Sequence, residues 1–252
     1  MKTKKKSMIS ADFDLKLGEN VVSLSSSVPN ARVTALALLP TYQILTDKIV
    51  SHAIEQYESS ERTISCKAGC GACCAQPVPV STLEAEHLAK VVQKMPISKQ
   101  AKVRDKFSES LAAIKAAGLE KSLKELPNLP PEQRIALGKQ YFSLKLDCPF
   151  LENQSCSIYQ DRPLECREYL VTSDPQHCAD LNDKEIKHIK LQMSLVPAIV
   201  KQSQESQITQ SKGWMLMLFC LDWAKKKPIK VRKKHGKLWF QSFMSEATGR
   251  DI

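Results

Sequence analysis

The chain has 252 residues, 42 % of them hydrophobic and 25 % charged, with a formal net charge of +10. That length can bury a core without disulfide staples and suits one domain with tails or two small domains. No run approaches the ~18 apolar residues of a membrane helix, and the basic start MKTKKKSMISADFDLKL lacks the apolar stretch of a secretory signal. A cytoplasmic, reducing setting is therefore expected, where clustered thiols hold metal rather than pair as disulfides.

In chain order, residues 1–30 are polar and Ser-rich and read as a tail with at most a short strand. A helix is expected from about Arg32 to Glu61, interrupted near Pro40, with Leu45, Ile49, Ile54 and Tyr57 on its apolar face. After Cys74 the run PVPVS is extended. Ser81 opens STLE, a capping box with Glu84 at its third position. The helix that follows ends before Pro96, and another runs from Ser98 to Gly118. Residues 119–129 read as loop or broken helix, and Pro130-Pro131-Glu132 starts a helix that stops near Asp147. Turns and short helical pieces are expected from Cys148 to Cys178. Asn182 then caps a helix carrying Ile186, Ile189, Met193 and Val196, ended or kinked by Pro197. Gly213 to Ala224 is apolar nearly all round and predicts a buried helix, and Lys237 to Phe243 is open to a short strand that closes the core. The fold class is mainly α, with few or no strands. An irregular helical domain spans 31–224 around a metal-binding core at 66–178, where two cysteine-rich loops converge, and a basic segment follows at 225–252.

Seven of the nine cysteines fall into two clusters. Cys66, Cys70, Cys73 and Cys74 lie in CKAGCGACC; Cys148, Cys156 and Cys166 lie in CPFLENQSCSIYQDRPLECR. Thiolate is a soft ligand that selects zinc, copper(I) or iron–sulfur clusters, and Gly69 and Gly71 let the first cluster fold back on itself. Zinc takes four N or S donors and a four-iron cluster takes four cysteines. One such site would leave three of the seven thiols unused, whereas two zinc sites, or an iron–sulfur cluster plus a structural zinc, would use them more fully. Cys178, in DPQHCAD, is a candidate eighth ligand, with His177 a weaker neighbour; Cys220 lies in the apolar run and is expected to be core. The spacing of Cys66, Cys70 and Cys73 also matches the loop of radical S-adenosylmethionine enzymes. That loop opens a β/α barrel, and the helical pattern after Cys74 does not offer one.

Taken together, Cys66 to Cys74, Cys148-Pro149-Phe150-Leu151, Cys156-Ser157-Ile158-Tyr159, Arg162-Pro163 and Cys166-Arg167 resemble the YkgJ-like cysteine-cluster family. That family is a zinc- or iron-chelating domain with the pattern CxxCxxCC, then CPFL, CxIY and RPxxCR. The first gap here is three residues where the pattern has two. The family includes flagellin lysine N-methylases, so the resemblance also implies, as an alternative to plain metal binding, an iron–sulfur- and S-adenosylmethionine-dependent protein-lysine methyltransferase. Four thiolates on zinc or on an oxidised four-iron cluster leave a charge of −2. Arg162 and Arg167 flank Cys166 and are expected to offset it and donate to sulfur. Phe150, Leu151, Ile158 and Tyr159 are expected to wall the metal.

The positive charge collects at the ends. Lys2, Lys4, Lys5 and Lys6 open the chain; Lys225, Lys226, Lys227, Lys230, Arg232, Lys233, Lys234 and Lys237 crowd the other end. A basic segment of this kind suits an acidic protein partner or a protein substrate, with nucleic acid a further option through Trp239 and Phe240.

Overall fold

Serine-rich strands can hide a buried face, and the start of this chain does so. The computed structural model describes residues 7–60, 63–179, 185–226 and 230–250. In it β1 (Met8–Leu17) and β2 (Asn20–Pro29) form an antiparallel hairpin. Gly18, at φ 61°, takes the first place of the two-residue turn between Leu17 and Asn20, where a type II′ turn reserves positive φ for glycine. Leu15, Leu17, Leu24 and Val28 are buried, while Ser23 and Ser25 face out. The expected tail is thus a hairpin over residues 8–29; its period-2 pattern was diluted by serines that occupy the solvent face. Lys2, Lys4, Lys5 and Lys6 lie outside the described residues.

β3 (Arg32–Val33) and a 3-10 turn at 35–38 lead into α1 (Leu39–Glu58). Pro40 does not interrupt this helix. It sits in the first turn, where its missing N–H costs nothing. Strand β4 (Pro79–Ser81) precedes α2 (Thr82–Lys94), and the Ser81–Glu84 capping box is formed as read. α3 (Ile97–Ala116), a short α4 (Glu120–Lys124) and α5 (Pro131–Phe142) follow. The cysteine region holds the minimal hairpin β5 (Leu151–Glu152) and β6 (Ser155–Cys156), then α6 (Leu164–Glu168) and a 3-10 helix at 175–179.

The second half differs more from expectation. Asn182 lies outside the described residues, and 185–195 is irregular. α7 (Val196–Ser206) begins where Pro197 was expected to end a helix, because the proline serves as an N-terminal residue. The apolar run 213–224 is divided into β7 (Trp214–Leu216), a 3-10 turn at 217–219 and α8 (Cys220–Lys225). β7 pairs with β4, and this tertiary pairing overrides the helical composition. After β8 (Lys234–His235), which pairs with β3, α9 (Gly236–Thr248) replaces the expected short strand. The four sheets are all two-stranded among the described residues, so the fold is mainly α.

Two apolar cores meet along α2. One gathers Leu88, Val92, Phe107, Phe150, Ile158, Leu218 and Cys220; the other gathers the hairpin, α1, α7 and α9 around Tyr42, Leu164, Trp239 and Phe243. Tyr42 stacks on Phe243 at 3.8 Å. Trp239 is fully buried and its Nε1 donates to the Val33 carbonyl at 2.9 Å. A buried indole cannot stack on a base, so that use of Trp239 is closed. The basic segment is also tied down: Arg232 donates to the Glu205 carbonyl at 2.8 Å and Lys234 lies 3.6 Å from the Glu205 carboxylate; Lys227 lies outside the described residues. Trp239→Ala is expected to lower stability by about 3–5 kcal/mol in urea unfolding. A loose C-terminal segment would instead leave the unfolding midpoint where it was.

Candidate metal centre

The first cysteine segment hangs between α1 and β4, and the second between α5 and α7. Peptide hydrogen bonds bring them together. The Cys148 N–H donates to the Cys74 carbonyl at 2.7 Å, and the Ser65 N–H to the Val171 carbonyl at 3.0 Å. Gln76 Nε2 donates to the Tyr169 hydroxyl at 2.9 Å and lies 3.4 Å from the Cys178 carbonyl. Cys66 Sγ accepts from the Val171 N–H at 3.3 Å and contacts the Tyr169 carbonyl at 3.8 Å. Cys73 and Cys74 lie on a 3-10 turn at 72–75 that packs on the 175–179 helix carrying Cys178.

The glycines of the first segment serve this approach. A Cβ on Gly71 would lie 2.7 Å from Leu151 Cδ1 and 3.1 Å from the Gln154 carbonyl, so the close contact with the β5–β6 hairpin needs hydrogen at that position. That hairpin turns on Asn153 and Gln154, both at positive φ (49° and 60°), as a type I′ turn requires. It sets Cys156 opposite Leu151, three residues beyond Cys148.

All seven clustered cysteines line one cavity of about 240 Å³: Cys66, Cys70, Cys73, Cys74, Cys148, Cys156 and Cys166. Val50 and Ile54 of α1, Pro77–Pro79, Ile158, Leu170 and Met217 give it apolar walls, and Lys67, Arg162 and Arg167 supply positive charge. Cys178 joins through Tyr169 and Gln76 and is not among the lining residues. Cys220 is fully buried in the core of α2, α3 and α8, as expected. None of the nine cysteines is in a disulfide. Among the described residues, no three side chains of Cys, His, Asp or Glu are yet grouped so as to hold a metal ion. What the fold provides is the donor set around one cavity: soft thiols from both segments, with no histidine among the described lining residues.

Burial decides the protonation of these thiols. Burial pushes Cys148 up to about 12 and holds Cys166 well above the ordinary range; Cys66, Cys156 and Cys178 are raised for the same reason. Cys73 is raised first by its hydrogen bond to Cys74 and then by burial. Burial in this cavity thus favours neutral thiols, and a metal held by them would have to displace their protons. Arg162 works in the opposite direction on Cys73, Cys156 and Cys166. Its guanidinium stacks over the Tyr159 ring at 3.7 Å while Nε donates to the Tyr159 carbonyl at 3.1 Å, which fixes the cation at the cavity wall.

Arg167 lowers Cys156 through its charge, but its donors do not go to sulfur as expected. It is buried, and its donors are taken by Asp47 (both oxygens at 2.6 Å), the Arg162 carbonyl at 2.9 Å and the Gln160 carbonyl. It therefore bonds the 160–162 loop and α1 to α6 rather than a sulfur. The other anchors escaped sequence reading. His87 of α2 pairs with Asp161 at 2.7 Å. Glu84 accepts the Ser81 N–H at 2.7 Å through Oε2 and the Leu164 N–H at 2.7 Å through Oε1, so one buried carboxylate caps α2 and holds the start of α6, two residues before Cys166. The capping box was visible in STLE; the second partner comes from a segment 80 residues away and leaves no local signal.

A family model described as "Putative zinc- or iron-chelating domain" (CxxCxxCC) matches residues 65–190, half of the chain. No curated protein and no solved structure gives a match.

Glu84→Ala is expected to cost about 2–4 kcal/mol, the sum of a lost cap and an orphaned buried N–H at Leu164. Thermal unfolding of the variant beside Ser81→Ala checks it. Equal losses for the two variants would mean that the bond to Leu164 contributes nothing.

Proposed function

The chain belongs to the CxxCxxCC family of zinc- or iron-chelating domains, and from that premise we propose that the thiols of its cavity are the chelating groups. Cys66, Cys70, Cys73, Cys74, Cys148, Cys156 and Cys166, with Cys178 beside them, are the donors. One observation carries this reading: cysteines from two distant segments line the same cavity. The donor set is sulfur throughout, which suits a zinc tetrathiolate or an iron–sulfur cluster of the 4Fe–4S type. Bound zinc supplies a structural tie or a Lewis acid; a bound iron–sulfur cluster supplies a one-electron carrier. The protein's own part is to gather the sulfurs, to keep them in an apolar surround, and to set Arg162 and Lys67 where they offset the negative charge that thiolates bring. Arg167 and Tyr159 act as positioning residues for that wall.

The protein-lysine methyltransferase reading, with S-adenosylmethionine as methyl donor, rests on the family resemblance alone. The same holds for a protein substrate or acidic partner reached through the basic segment.

Protein purified without oxygen is expected to carry zinc or iron in stoichiometric amount. Acid-labile sulfide and a brown colour would accompany iron. Stripping the metal with a chelator is expected to lower the thermal midpoint, because a ligand that binds only the folded state stabilises it by mass action. Purified protein that holds neither metal and takes up neither after reduction would overturn the proposal.

A further inference from the structure

The N-terminal hairpin leaves one of its edges unused. The Asn30 N–H donates to the Ser7 carbonyl at 2.8 Å. In the register that pairs Ile9 with Val28 and Leu17 with Asn20, the β1–β2 bonds then fall at odd-numbered residues of β1. The peptide groups of Ser10, Asp12, Asp14 and Lys16 therefore point away from β2. The corresponding edge of β2 is met by α1, where Thr41 and Lys48 donate to the Ser27 and Ser25 carbonyls at 2.9 and 3.3 Å. β1 has no second strand beside it, and among the described residues no other element bonds the peptide groups of those four. Such an edge offers a row of donors and acceptors to another extended backbone.

A cavity of about 560 Å³ lies between β1 and α9. Ile9, Phe13 and Val28 of the hairpin, Phe240 and Met244 of α9, and Met193 give it apolar walls. Gly236 lies against Pro29, which the register sets opposite Met8, and the Phe240 ring meets Phe13 edge-on at 5.8 Å. Helix α9 thus runs beside β1. Lys237 and Arg250 stand at either end of the α9 wall, so apolar contact is offered in the middle. Asp14 and Lys16 also line the cavity, although strand alternation turns their side chains to the opposite face. The space therefore reaches the open edge of the strand. A strand added there would send every second side chain into the cavity. Its other side chains would lie beside Ser10, Asp12, Asp14 and Lys16, all exposed. Asp12 and Asp14 favour lysine or arginine directly opposite.

We propose that β1 and α9 bind an extended peptide segment of another protein, which adds to β1 as a third strand. Its apolar side chains enter the cavity and its basic side chains face Asp12 and Asp14. Main-chain bonds to the edge give the affinity, and the cavity selects the alternate side chains. A second copy of this chain fits the edge less well. The open peptide groups of two β1 strands meet only when even-numbered residues face even-numbered ones. The two longest antiparallel registers then set Asp12 against Asp12 or against Asp14, and like charges directly opposite repel. A basic strand turns the same two carboxylates into attractions. No residue lines both this cavity and the one that holds the cysteines, so the proposal stands apart from metal binding.

Fluorescence anisotropy of labelled octapeptides titrated with the reduced full chain tests this. The probes alternate lysine with valine, leucine or phenylalanine, and a matching set carries glutamate in place of lysine. Saturable binding of at least one lysine probe, tighter than its glutamate counterpart, is expected. Reversing the charges with Asp12→Lys and Asp14→Lys together is expected to weaken the lysine probe about tenfold, with far-UV circular dichroism as the check on folding. An added strand turns only every second amide toward β1. N-methylation of one alternate set of peptide amides is therefore expected to abolish binding, and methylation of the other set to spare it. Equal effects from the two sets would overturn strand addition, as would binding by none of the lysine probes. A full chain that sediments as a dimer, and as a monomer after Asp12→Pro, would give the edge to a second copy and overturn the proposal too. Because the methyl groups are on the peptide, that comparison does not depend on any variant folding.

Discussion

The arrangement depends on peptide hydrogen bonds that hold two cysteine segments together without help from sulfur. The Cys148 N–H on the Cys74 carbonyl and the Ser65 N–H on the Val171 carbonyl span the gap between segments, and Gln76 adds a side-chain bridge to Tyr169. Each bond satisfies backbone or amide groups that would otherwise need water. The loops thus meet as part of folding, which removes from metal binding much of the entropy cost of closing a long loop. On the proposed reading, what remains for a metal is to displace protons and draw the thiols into a closed shell.

Electrostatics around the cavity are arranged for that step. Thiols in an apolar surround stay neutral, so the metal-free protein is spared a cluster of mutually repelling thiolates. When a metal brings thiolates into being, Arg162 is already in place. Its stacking on Tyr159 holds it at the wall, and Arg167 fixes the 160–162 backbone from behind. Arg167 in turn is held by Asp47 of α1, and Glu84 holds the first turn of α6. Residues from α1, α2 and α6 therefore bear on the position of Cys166 without touching its sulfur.

The parts of this structure legible in the sequence are those whose signals are local. The capping box at Ser81 and Glu84, the helix breaks near Pro96 and Gly118, and the cysteine clusters with their glycines all depend on neighbours a few residues away. Where long-range pairing decides, sequence reading failed. Trp214 to Leu216 became a strand because β4 lay beside it, and the hairpin at 8–29 was hidden by serines on its outer face. Pro197 marked a boundary correctly but from the wrong side, since proline both ends one helix and starts another. At the site, cysteine content and motif pointed to the seven cysteines that line one cavity. The residues that position them, Asp47, Gln76 and His87, make bonds across more than 70 residues, and no spacing rule announces such partners.

Differential alkylation with peptide mass mapping, comparing metal-free and zinc-loaded full chain, tests the shared centre most directly. If cysteines from both segments gather on bound metal, Cys66 to Cys74 and Cys148 to Cys166 lose reactivity together as zinc is added. Protection confined to one segment, with the other reacting as fast as in the metal-free protein, would contradict it.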